Sequence, residues 1–156
     1  SVNFGTSEAP NLTSISAMFK NCKIITDINL SSFNAITELR KVNNLVTGCS
    51  KLKTLDLSGL SFENINSLSG SMSASTISTL TTLIAPQAVK KYGGIALALN
   101  LFPNLSTESI LGVINNLLEV PTTLPTSSRT FVLGSNANKL TEEQLQEIID
   151  KGYTIS

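Results

Sequence analysis

The chain contains no histidine and no tryptophan, and only two cysteines and two tyrosines among its 156 residues. Without histidine, Ser-His-Asp and Cys-His catalytic arrangements are excluded, and the commonest general base at neutral pH is missing. Two thiols do not by themselves complete a metal site. Charge is scarce as well: the 11 basic and 11 acidic side chains cancel, and charged residues make up 14% of the chain. A nucleic-acid binder needs a surplus of Lys and Arg to displace counterions from phosphates, so this balance argues against nucleic acid as a partner. Long apolar runs are missing too. The longest, "GGIALALNLFP", falls short of the roughly 18–20 residues that cross a bilayer. It reads as a buried strand closed by Pro103, so no membrane insertion is expected in this segment. The start, "SVNFGTSEAP", has neither an initiator Met nor a signal-peptide pattern and reads as processed or trimmed.

What the chain does have is 41% apolar residues, enough for one domain with a continuous core, and a surface rich in Ser, Thr and Asn. Its apolar residues are also written out twice. "CKIITDINLSSF" from Cys22 returns as "CSKLKTLDLSGL" from Cys49, 27 residues later. Leu12, Ile15, Met18, Cys22, Ile25, Ile28, Leu30 and Phe33 fall opposite Leu39, Val42, Leu45, Cys49, Leu52, Leu55, Leu57 and Leu60. The polar positions between them drift, which is the signature of a stacked repeat. Each copy holds the form L-x-x-L-x-L-x-x-φ, whose central L-x-L reads as a short strand with alternate residues inward. Between the copies, Ile36, Leu39, Val42, Leu45 and Val46 recur every three or four residues, as in a helix or a few helical turns. One strand and one helical return per 27 residues falls within the range of leucine-rich repeats.

The third copy, "LSGSMSASTISTLTTLIAP", gains one residue, so Leu80, Leu83 and Ala85 follow the second copy at a spacing of 28. Its Ser-rich part is expected to be a loop. The return "QAVKKYGG", ended by Gly93-Gly94, leads to a fourth strand with Leu99 and Leu101 inward. A helix follows, capped by Ser106, with Ile110, Val113, Ile114, Leu117 and Leu118 as its apolar stripe. Phe131 and Leu133 mark a fifth strand. Thr141 and Gln144 form a capping box for a second helix, which Gly152 stops before a strand at Tyr153 and Ile155. The expected fold is a single α/β domain over 1–156, a leucine-rich-repeat solenoid with a short parallel sheet of about six strands and helices or turns opposite. Residues 1–11 form an N-terminal extension or cap, 12–104 the repeats, and 105–156 helix–strand C-terminal repeats or a cap.

The stretch "MFKNCKIITDINLSSF" resembles the bacterial surface leucine-rich repeats of the BspA-like family, which commonly read M-F-x-x-C-x-x-L-x-x-L-D-L-S-x-F. Met18, Phe19, Cys22, Ile25, Ile28, Leu30, Ser31 and Phe33 carry the likeness. The second copy has Leu45-Val46 for Met-Phe and Leu60 for the last Phe, but restores "LDLS" at Leu55–Ser58. From "LSTESILGVINNL" to "KGYTIS" the chain resembles a tail on leucine-rich-repeat proteins of phages and prophages of gut bacteria, with Tyr153 in place of their Trp. The likenesses imply a virion or an extracellular, bacterial cell-surface setting. They imply a tail or receptor-contacting component, or else a surface adhesin, with a homo-oligomer or larger virion assembly as one possible state.

No catalytic constellation emerges. Glu142, Glu143, Glu147 and Asp150 read as the solvated face of one helix, and no cofactor or metal is expected. Asn11, Asn29 and Asn104 begin Asn-x-Ser/Thr triplets and are read as unmodified. Equivalent residues of stacked repeats lie roughly 5 Å apart, so Cys22 and Cys49 are either two stacked thiols or a disulfide. One residue per strand points outward between the inward pairs: Asn29, Asp56, Ile84, Asn100, Val132 and Thr154. Asp27, Ser31, Thr54 and Ser58 flank them. This row of amides, carboxylates and hydroxyls is either ordinary solvated surface or a face that hydrogen-bonds a protein or cell-surface glycan. It has no aromatic platform for a sugar.

Overall fold

The computed structural model describes residues 2–3, 11–33, 36, 38–65, 72, 75–89 and 97–156. The chain is mixed α/β, with small parallel sheets and few helices. Strands β1 (Val2–Asn3), β2 (Asp27–Asn29), β3 (Thr54–Asp56) and β4 (Thr82–Ile84) form one parallel sheet in chain order. Helix α1 (Thr107–Asn115) follows, then β5 (Thr130–Phe131), helix α2 (Glu142–Asp150) and β6 (Thr154–Ile155); β5 and β6 pair in parallel as a second sheet.

The register reproduces the repeat. Ile28 pairs with Leu55 and Leu55 with Leu83, so the extra residue of the third copy is absorbed before its strand. These three side chains point into one core and are 2% exposed or less. Leu30, Leu57 and Ala85 extend that core, which runs on through Leu99, Ile110, Val113 and Phe131 to Tyr153. In the first repeat Leu12, Cys22 and Ile25 are only half-buried. Met18, expected inside, is 41% exposed, and its neighbour Phe19 is buried instead.

Of the helix or few helical turns expected between the copies, the described residues show turns: the N–H groups of Leu45, Thr47 and Cys49 donate three residues back, to Val42, Asn44 and Val46. The N–H groups of Ile15, Ala17, Phe19 and Asn21 donate to the carbonyls of Lys41, Asn43, Leu45 and Thr47 in the next repeat. Carbonyls of the return that accept from the preceding repeat are not taken up by an N–H four residues on, so the return is a series of tight turns. Those turns need left-handed residues, and these recur with the repeat: Ala17 with Asn44, and Asn21 with Gly48. Apolar residues at every third or fourth place face the core in such a path just as they would on a helix.

Three further expectations change. The N-terminal extension contributes β1, which pairs with β2. Leu99–Leu101 is a 3-10 turn rather than a strand. The N–H groups of Leu99 and Asn100 both reach the carbonyl of Val132. Among the described residues the strands form a sheet of four, ending at β4, and a sheet of two. The cause lies beyond β4. There the Leu83 N–H meets the Ser109 hydroxyl of α1 at 2.9 Å, and the Ser106 N–H donates to the Thr81 carbonyl, so a helix occupies the strand's place. The Ser-rich loop and the return after Val89 lie largely outside the described residues.

Both C-terminal helices form, but α1 ends at Asn115, so Leu117 and Leu118 of its expected stripe follow the helix, and Leu118 is half-buried. Ser106 caps α1 by accepting from the Ser109 N–H at 3.2 Å, and Ile110, Val113, Ile114 and Leu117 are buried. Thr141 and Gln144 form a reciprocal capping box on α2. Asn136, fully buried, donates to the Leu99 and Phe102 carbonyls and accepts from Lys139 Nζ, which also donates to the Pro103 and Leu105 carbonyls. The Tyr153 ring meets Phe131 edge-on at 6.2 Å, and its hydroxyl donates to the Leu118 carbonyl at 2.7 Å. Gly152 ends α2 at φ 92°, where a Cβ would strike the Val120 carbonyl oxygen. Replacing Gly152 by Ala is expected to cost about 1–3 kcal/mol, read as a lower urea midpoint at unchanged slope.

Candidate binding face on the parallel sheet

Pairing within β2–β4 brings the outward side chains into two rows. Asp27, Thr54 and Thr82 form one, and Asn29, Asp56 and Ile84 the other. Adjacent members lie about one strand spacing apart, roughly 4.8 Å. Five of the six are polar, and Ile84 stands 45% exposed.

Both repeats end the strand the same way. Asn29 Oδ1 accepts from the Ser31 N–H at 2.8 Å and from its hydroxyl at 2.6 Å. Asp56 Oδ1 accepts from the Ser58 N–H at 2.9 Å and from its hydroxyl at 2.6 Å. Ser31 and Ser58, expected as ligand contacts, thus donate their hydroxyl protons to the turn that closes each strand. Asp56 is 8% exposed and forms no ion pair among the described residues. Asp27 accepts from the Thr26 hydroxyl at 2.7 Å. That bond, with a second from Thr54, holds its carboxyl below the usual aspartate range, and Lys53 adds a smaller push in the same direction.

The remaining expected site residues are elsewhere. Asn100 lies on the 3-10 turn, bonded to Val132 and packed against Gly134, rather than in the strand row. Thr154 belongs to the second sheet, where its hydroxyl meets that of Thr130 at 3.1 Å. Asn29 is exposed, whereas the Asn104 amide donates to the Ser78 carbonyl at 2.8 Å. Cys22 and Cys49 are free thiols; Cys49 donates to the Phe19 carbonyl at 3.1 Å, and burial pushes its thiol up.

Sequence reasoning missed the feature that closes the face. Where α1 stands against β4, a groove of about 490 Å3 is lined by Thr82, Ile84, Ser106, Glu108 and Gly112, among others. Ser109 fixes that wall: its hydroxyl oxygen accepts from the Leu83 N–H and, at 2.9 Å, from the Ser106 hydroxyl. At the other end of α1, Lys151 Nζ donates to the Ile114 carbonyl at 2.7 Å and pairs with Glu147 at 3.2 Å. A Cβ added at Gly112 would meet nothing within 4 Å, so the groove is open above it. Ile84, the apolar member of a polar row, was the signal available in the sequence. A second depression, about 580 Å3, is lined among the described residues by residues 21–25 of one segment, with Ile24 87% exposed.

No helix among the described residues is long and apolar enough to cross a membrane. No protein-family model matches the chain, and neither a curated protein nor a solved structure shows significant similarity to it.

Ser109→Ala should leave the Leu83 N–H without its acceptor and cost about 1–3 kcal/mol, measured by urea unfolding. Thr54→Val should raise the Asp27 pKa toward the ordinary value in a 13C-carboxyl NMR titration. A depressed carboxyl stabilises the fold above its unfolded-state pKa and ceases to do so as pH falls through the folded value. The stability gap between wild type and Thr54→Val should therefore close below about pH 4.

Proposed function

We propose that the chain is a leucine-rich-repeat solenoid serving as a non-catalytic binding module, with the β2–β4 face as its contact surface. The observation that carries the reading is the in-register stacking of Asp27, Thr54 and Thr82 beside Asn29, Asp56 and Ile84 on the exposed side of the sheet. Stacked repeats present such a face as a regular surface of near-constant spacing, suited to an extended protein or glycan ligand. The recurrence of left-handed residues and of Ser-capped strand ends at the repeat period supports the solenoid part of the proposal.

The biological setting rests on resemblance. The C-terminal segment's likeness to phage and prophage proteins favours a virion component, a tail or receptor-contacting piece that works as a homo-oligomer or within a larger assembly. The likeness of Met18–Phe33 to surface repeats favours a bacterial cell-surface adhesin as the second reading.

Labelled protein incubated with a panel of intact gut bacteria, and separately with mucin and matrix proteins, tests both. Selective capture by particular bacterial strains, reduced about tenfold or more by Asn29→Trp or Thr82→Trp with the circular dichroism unchanged, is the expected result. Capture by mucin or matrix instead would transfer the proposal to the adhesin. Binding that survives both substitutions would remove the strand face from it.

A further inference from the structure

We infer that the groove between β4 and α1 receives a lysine or arginine side chain of an extended protein segment lying across the strand face. This rests on the binding-face reading above and names its partner. The groove has two kinds of wall. Ile84, 45% exposed, and the open space over Gly112 offer an apolar surface for an aliphatic stem. Glu108, in the first turn of α1, supplies a carboxylate, and Thr82 and Ser106 bring hydroxyls to the same groove. An aliphatic stem ending in a cation is the protein side chain that matches both walls.

Charge complementarity points the same way. Asp56, directly opposite Ile84 in the sheet register, is a carboxylate in a residue 8% exposed. Among the described residues, neither Asp56 nor Glu108 has an ion-pair partner and no basic side chain lines the groove. Asp27 lies two strands from β4, and its carboxylate is taken up by hydroxyl bonds from Thr26 and Thr54. Asp56, opposite Ile84 in the register, and Glu108, across the groove from it, place two carboxylates beside the exposed Ile84. A neutral glycan would leave both carboxylates unpaired and would find no aromatic ring among the groove residues. A polypeptide carrying a cation pairs with them and can lay backbone across the Thr and Asn side chains.

The test uses the full chain and three fluorescein-labelled decapeptides of alternating sequence, Lys-Thr, Ser-Thr and Glu-Thr, with maltohexaose as the glycan probe, all at physiological salt. The Lys-Thr peptide should bind more tightly than the other two and perturb NMR amide signals of β3, β4 and α1. Glu108→Gln should weaken it about threefold to tenfold, and Gly112→Leu, which fills open space, about tenfold or more. Glu142→Gln removes the same charge from α2 and should leave binding unchanged. Equal weakening by Glu142→Gln and Glu108→Gln, or binding no tighter than that of the Ser-Thr peptide, would overturn the inference. If maltohexaose shifts Asn29, Thr54 and Asp56 while the basic peptide does not, the cationic occupant falls and the strand-face reading stands. If neither probe shifts any of them, both fall.

Discussion

Main-chain hydrogen bonds between successive repeats are the constraint on which the rest of this structure depends. Buried N–H and C=O groups must be paired, and here the first repeat's donors at Ile15, Ala17, Phe19 and Asn21 are paired by the second repeat's carbonyls. The strands do the same in register. With pairing directed to the neighbour, each repeat is free to bend through tight turns and point its apolar residues inward. Ile28, Leu55 and Leu83 then stack in one column, and no single repeat has to bury its own apolar face.

The interruption of that scheme is as informative as the scheme. At the position where a further strand would pair with β4, the Ser109 hydroxyl takes the Leu83 N–H, and α1 stands as a wall at the end of the sheet. Polar side chains then hold the C-terminal part in place. Asn136 and Lys139 satisfy carbonyls of the Leu99–Leu105 stretch, Lys151 caps the end of α1, and the Tyr153 hydroxyl takes the Leu118 carbonyl. Each of these bonds joins segments more than thirty residues apart in the chain. The wall they support turns an open strand face into a face with a groove.

The strand face serves two ends. Asn29 and Asp56 close their strands by binding Ser31 and Ser58, which ties one acceptor oxygen of each to structure. Asn29, Thr82 and Ile84 stand exposed on the face. Asp56 and Glu108 both lie beside the exposed Ile84. That coincidence, more than polarity along the whole row, underlies the choice of a cationic polypeptide as partner.

The repeat period, the inward columns, the extra residue of the third copy, both helices and their caps were legible in the sequence. Each rests on local chemistry or on a spacing that a parallel register must copy. The returns stayed open between a helix and turns, because residues at every third or fourth place face a core equally well from either, and only the destination of the backbone N–H groups separates the two. The strand at Leu99, and Asn100's membership of the row with it, failed for a related reason: alternation sets which side chains point in, but not which neighbour takes the N–H. Asp27, Asn29, Thr54 and Asp56 came together because the register put them there. The groove at Glu108 and Gly112 had no counterpart in any motif. Sequence alone determined what repeats and, apart from exchanges such as Phe19 for Met18, the buried columns, since burial follows apolar spacing; only the tertiary structure decided where the sheet stops, because that depends on which partner, strand or Ser109 hydroxyl, reaches the Leu83 N–H.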